Sequence, residues 1–194
     1  MPPKRQYKAS EYHLSKQEVK KLMNASLEFR DRCVVKTFAQ TAIRRFELQN
    51  LDIRDVDFER RVIHIREGKG GKERTIPSSD DLLGDLRHLI GRRRAGPIFL
   101  SNRGKALSTV AINNIVAKAG RLAGLKNPNP QYKNINPHLL RHTFSRLWKD
   151  AGKSIESLSK ILGHTSVKTT LDEYGTEDLQ TVQGNYDDFT TEVF

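Results

Sequence analysis

The chain has one cysteine, Cys33, in 194 residues. A single thiol excludes an intramolecular disulfide and any zinc site built from several cysteines. Nowhere is there an apolar run of the roughly 18 residues that a membrane-spanning helix needs. The opening residues, Met1-Pro2-Pro3-Lys4-Arg5, lack the apolar stretch of a signal peptide. The expectation is an intracellular protein held together by its core alone, without a membrane partner. Acidic residues are also in deficit: 34 Lys and Arg stand against 23 Asp and Glu, for a net charge of +11. The imbalance is uneven along the chain. Residues 171–194 hold seven acids and no Lys or Arg, so the basic excess falls entirely on the first 170 residues. A body this basic fits a polyanionic partner, usually nucleic acid, although solubility alone can also explain such charge.

With 36% hydrophobic residues the chain can fill one sizeable core. Residues 1–12 are basic and broken by prolines, and read as a flexible arm. Ser15 and Glu18 fit a capping box, which places a helix start there. Val34, Val35, Phe38 and Ala42 fall at helical spacing within a second helix over 29–42, and a short helix is expected over 44–50. The period then changes. Residues 55–59, 61–66 and 73–77 are short β-rich pieces, the last two joined by the glycine-rich turn Gly68-Lys69-Gly70-Gly71-Lys72. Helices return over 80–93 and 108–123. Pro128, Pro130 and Pro137 mark a loop, and three more helices are expected over 138–151, 154–162 and 167–174. Gly152 and Gly163 sit where helix ends favour glycine. The expected fold is α+β and mostly α-helical, with a small three-stranded antiparallel sheet. It reads as one domain over 14–176, between a basic arm over 1–13 and an acidic tail over 177–194.

Three segments carry chemistry. They are Thr41-Ala-Ile-Arg44-Arg-Phe-Glu47, the Gly68–Arg74 turn, and Pro137-His138-Leu-Leu-Arg141-His142, which leads on to Leu162-Gly163-His164 and Tyr174. His138 and Arg141, three residues apart on a helix, share one face and can address one phosphate. Two guanidiniums, with Arg44 and Arg141 as the natural pair, can each offer paired donors to its non-bridging oxygens. The alternative for Arg44 and its neighbour Arg45 is a solvated surface patch. Lys69 on a glycine-flanked turn can reach into a groove, with Lys72 as a competitor. Either histidine of the set could instead be a satisfied core residue, and His142 is expected to be structural.

The ordered set Arg44, Lys69, His138, Arg141, His164 and Tyr174 resembles the catalytic domain of the tyrosine recombinases, the phage integrases and Xer-type enzymes, over residues 14–176. The resemblance implies that Tyr174 is the nucleophile and forms a 3′-phosphotyrosyl bond with a scissile DNA phosphate. It implies that His138 is the base, that His164 donates a hydrogen bond to the phosphate, and that Lys69 protonates the leaving 5′-oxygen. Glu47 would buttress the site. Tyr186 is an alternative nucleophile, but lies 22 residues past His164, too far for the family pattern. Transesterification needs neither ATP nor a metal, and no cofactor is expected; a Walker A signature and a clear acidic metal cluster are both missing. Double-stranded DNA and further copies of the chain are the expected partners. The resemblance implies a place in the cytoplasm or nucleoid, or a viral- or plasmid-encoded protein of a mobile genetic element. An accessory DNA-binding protein of the same fold and a type IB topoisomerase are the competing readings.

Two departures from the family pattern stand out. Ala42 occupies a position where glycine is usual. Integrases of this type also carry a helical DNA-binding domain ahead of the catalytic one, whereas only about 14 residues precede the first helix here. An excised catalytic domain and a minimal recombinase both fit. In the resembled family the segment after the tyrosine packs on a neighbouring subunit. The acidic 176–194 stretch is accordingly expected to dock on protein, either on a second protomer or back over its own basic face.

Overall fold

A computed structural model describes residues 12–66, 73–163 and 179–194, the side chains of 179–181 aside. Lys69, Lys72, His164, Tyr174, the helix expected over 167–174 and most of the N-terminal arm lie outside the described residues.

Helix α1, Lys16–Met23, starts at the expected capping box: Ser15 Oγ accepts from the Glu18 amide, and the Glu18 carboxylate accepts from the Ser15 amide at 2.8 Å. Helix α2, Phe29–Thr41, is the hub. It packs against α1, against α4 (Asp80–Ile90), against α5 (Thr109–Leu122) and against α6 (Pro137–Asp150). That placement explains why Val34, Val35, Phe38 and even Thr37 and Thr41 are fully buried. The two threonines stay satisfied by donating back to the carbonyls of Cys33 and Thr37. Helix α3, Arg45–Gln49, follows α2 directly.

The sheet is three-stranded and antiparallel in the order β1 (Val56–Asp57), β2 (Val62–Ile65), β3 (Arg74–Pro77). Ile63 pairs with Ile76 and Ile65 with Arg74, so β2 and β3 bracket the segment that carries Lys69. β1 is shorter than expected because Asp57 Oδ1 accepts from the amides of Glu59 and Arg60, closing a turn, and Arg61 then takes a left-handed φ of 57°. Helix α4 ends at Ile90 rather than Arg93. Gly91 leaves the helix, and the Arg93 guanidinium instead holds the carbonyls of Pro97 and Ile98.

The helices from α4 to α7 each have their own start signal. Ser79, Ser108 and Ser154 cap α4, α5 and α7 (Ile155–Leu162), and Asn136 caps α6 with Pro137 in its first turn. Gly120 of α5 lies against Ile135 so closely that a Cβ would sit 2.5 Å from Ile135 Cγ1, a real need for glycine.

Within the 177–194 stretch, expected as an acidic tail that docks on protein, Leu179–Val193 form helix α8. Val182, Tyr186, Phe189 and Val193 recur at helical spacing and are buried. Phe189 meets Phe144 and Trp148 of α6 with ring centroids 4.9 and 5.0 Å away. Of its described acids, Asp187 pairs with Arg61 at 2.8 Å, and Asp188 and Glu192 face Lys153. The acidic composition hid an amphipathic helix, and burying its large side chains is worth about 1.5–3 kcal/mol each. Among the described residues, no helix is long and apolar enough to cross a membrane.

Candidate active site

The site forms where the C-terminal ends of α2 and α7 meet the first turns of α3 and α6. Helix α2 stops at Thr41 because Ala42 adopts the left-handed conformation, φ 51° and ψ 24°. An L-residue pays about 1–2 kcal/mol there and glycine almost nothing, which gives the glycine pattern at this position a physical cause. The Ala42 methyl is fully buried. The reversal sets Arg44 at the head of α3, where its amide donates to Glu47 Oε2 at 2.8 Å and its Nη1 to Glu47 Oε1 at 2.9 Å.

Glu47 also takes a bidentate pair of bonds from Arg74, both 2.7 Å. Both side chains are almost out of water, 3% exposed for Glu47 and 7% for Arg74. Burial alone would raise the Glu47 carboxyl. The bonds and charge of Arg74, then the bonds from Arg44, outweigh it and hold the carboxyl at about 2. Glu47, expected as a buttress, thus binds Arg44 and Arg74 at once. Arg74 escaped the sequence reading. Its Nε donates to Ile161 O at 2.8 Å, so it ties β3, α3 and α7 together. The signal for it is spatial. Gly163, left-handed at φ 63°, lies against Arg74 so tightly that a Cβ would approach Arg74 Cδ to 2.7 Å.

Arg141 projects from α6 toward the same place. Its Nη1 donates to Ala42 O at 2.5 Å and its Nη2 to Leu162 O at 2.7 Å. Both acceptors belong to helix C-terminal ends, whose partial negative charge suits a cation. Burial, then the charges of Arg44 and Arg74, push the guanidinium down to about 9, so it remains a cation at neutral pH. His138, one turn earlier, is exposed, and its Nε2 lies 2.7 Å from His142 Nε2. Burial, and then the Arg141 charge, lower the His138 imidazole. Neutral imidazole is therefore its resting form near pH 7.

Arg44, Arg141 and His138 open onto one cleft of about 560 Å³, with Arg45, Asn113 and Tyr132 on its walls. Of the six sequence candidates the structure brings these three together. Lys69, His164 and Tyr174 lie outside the described residues. Tyr186 is fully buried, its hydroxyl donates to Gln40 O at 2.8 Å, and burial pushes its phenol far up. It is no nucleophile. Burial likewise pushes the Cys33 thiol up to about 12. His142, expected as structural, contacts the ring of His138.

Two guanidiniums, one held rigidly from behind by carbonyls and one by a carboxylate, can grip a single phosphate group beside a neutral imidazole. Comparisons with known proteins point the same way. The phage integrase family model matches residues 13–180. The chain is 36% identical over 164 residues to tyrosine recombinase XerA of Pyrococcus furiosus, covering 81% of this chain and 54% of that protein. It thus spans about half the length of the curated relatives it matches. A crystal structure of XerA recombinase superposes with a TM-score of 0.71 at 30% identity, over 97% of this chain and 66% of the other. XerH site-specific recombinase, solved bound to its difH substrate before cleavage, gives 0.68 at 26% identity, over 89% of this chain and 52% of the other. The matched span contains the whole cleft and its arginines, and the chain belongs to the phage integrase family, the tyrosine recombinases.

Proposed function

We propose that this chain cleaves and rejoins DNA strands through a covalent 3′-phosphotyrosyl intermediate, as a site-specific recombinase or integrase. The observation that carries the reading is the convergence of Arg44 and Arg141 with His138 on one cleft, each arginine fixed by bonds that leave its position little freedom. Donors preorganised around a phosphate are usually the largest single term in catalysis.

In this reading the two guanidiniums bind the non-bridging oxygens of the scissile phosphate. The Tyr174 hydroxyl attacks phosphorus while His138 takes its proton. The P–O bond to the 5′-oxygen breaks, and Lys69 protonates that oxygen as it leaves. His164 adds a hydrogen bond to the phosphate. A 5′-hydroxyl from another strand reverses the steps and seals the exchanged joint. The phosphotyrosyl bond conserves the energy of the phosphodiester, so the chain's own residues complete the cycle. Exchange between two duplexes needs a nucleophile at each cut, so several copies act together on double-stranded DNA, in the compartment that holds it. The XerH relative solved on its difH substrate supports DNA as the partner.

The test is covalent trapping. A nicked DNA duplex that loses a short fragment after cleavage cannot be resealed, so the protein stays attached. The intact chain gives an adduct stable to denaturing electrophoresis, and Tyr174→Phe gives none while still binding DNA. A normal adduct yield in Tyr174→Phe would sink the nucleophile. No adduct from the unaltered chain on DNA from its own genetic neighbourhood favours an accessory DNA-binding role. Relaxation of supercoils without exchange between two sites favours a topoisomerase.

A further inference from the structure

We propose that His142 is a positioning residue for His138: by accepting a hydrogen bond from His138 Nε2–H, it fixes the tautomer that leaves His138 Nδ1 free to take a proton. This rests on the reading of His138 as the base.

The two residues are one helical turn apart on α6, at i and i+4, so the helix itself brings their rings together. The ring centroids are 4.2 Å apart, the planes cross at 82°, and the Nε2 atoms approach to 2.7 Å. An N···N distance this short needs one N–H between the atoms and one lone pair opposite. Two neutral rings supply that arrangement. Two imidazolium rings would put N–H against N–H. Burial lowers both imidazoles, a proton on His138 would lower His142 further, and the Arg141 charge lowers both, so two neutral rings are the favoured pair.

A shared proton makes the two tautomers interdependent. If His138 Nε2 donates, His138 Nδ1 holds a lone pair, the state that a base needs. When Nδ1 takes the proton of the attacking hydroxyl, the oxygen–phosphorus bond forms and His138 becomes a cation. Its bond to His142 is then charge-assisted and stronger, so His142 also stabilises the product of proton transfer. His142 does not line the cleft, which is why its action runs through His138.

The test uses the full chain with ¹⁵N-labelled histidine. In the unaltered protein near neutral pH, His138 shows a single tautomer, with Nδ1 unprotonated and Nε2 protonated. In His142→Leu, both His138 nitrogens report a mixture, and single-turnover cleavage of nicked DNA falls about tenfold or more, a part of the roughly 10²–10⁴-fold that a positioned base supplies. His142→Gln, whose amide oxygen can still accept, recovers the single tautomer and most of the rate. Unchanged circular dichroism and melting show that these variants fold. A single His138 tautomer in His142→Leu, or a cleavage rate equal to that of the unaltered chain, overturns the proposal. His138→Gln separates the two ideas: normal cleavage there removes His138 as the base, while the nitrogen shifts still decide whether His142 sets its tautomer.

Discussion

Replacing Glu47 with glutamine keeps the shape of the side chain but removes the one carboxylate that binds both Arg44 and Arg74. Holding a carboxyl from 4.5 down to about 2 corresponds to roughly 3 kcal/mol, or about 2 after allowing for solvent screening. Leaving the Arg74 guanidinium, 7% exposed, without its counter-ion adds to this; removing one partner of a buried pair costs about 3–5 kcal/mol in general. The glutamine oxygen keeps the two bonds that one carboxylate oxygen accepts, so the expected loss is about 3 kcal/mol in urea unfolding at pH 7. The pH dependence gives a sharper readout. The folded-state pKa lies below the unfolded one, so the stabilisation is fully present above about 4.5 and disappears as pH falls toward 2. The gap between the unaltered chain and Glu47→Gln should therefore stay constant from pH 7 to 5 and shrink steadily below 4.5. The proposed buried network is refuted if the variant matches the unaltered chain at pH 7, or if the gap persists unchanged at pH 3.

Gly163→Ala adds a Cβ 2.7 Å from Arg74 Cδ at a φ of 63°; it should cost about 1–3 kcal/mol in thermal or urea unfolding and reduce cleavage by displacing Arg74. Tyr186→Phe removes the bond to Gln40 O, 2.8 Å and fully buried, so stability should fall by about 1–2 kcal/mol while the covalent adduct forms in normal yield. Arg141→Lys cannot hold the carbonyls of Ala42 and Leu162 together while presenting a fork to phosphate; cleavage should fall about 10²–10³-fold, with much less change in DNA affinity by gel shift.

How much could be read beforehand varied with the kind of signal. Local signals succeeded. The Ser15–Glu18 box starts α1, Asn136 and Pro137 start α6, and Gly163 ends α7, because caps are chemistry between residues a few positions apart. The spacing of His138 and Arg141 placed both on one helix facing one cleft, again a local fact. Arg74 was not legible. It sits past a glycine-rich turn like any other surface arginine, and only the fold brings it to Glu47, 27 positions away. Helix α8 was legible in principle, since Val182, Tyr186, Phe189 and Val193 repeat with helical spacing. Charge drew attention away from that period, and Tyr186 was weighed for reactivity when its role is to fill the core.

Three guanidiniums, Arg44, Arg74 and Arg141, crowd around one carboxylate, and the two carbonyl bonds to Arg141 hold it without cancelling its charge. These four groups carry a net charge of two positive. That surplus repels itself, and after burial the charges of Arg44 and Arg74 are what lower the Arg141 guanidinium. The resting protein is therefore less stable than its packing alone would make it, and a dianion such as sulfate should raise its melting temperature before any DNA is present. Replacing Arg141 with methionine would relieve the repulsion while destroying the grip on phosphate. At this cleft, stability and the proposed activity pull in opposite directions, and in that proposal a bound phosphate is the group that reconciles them.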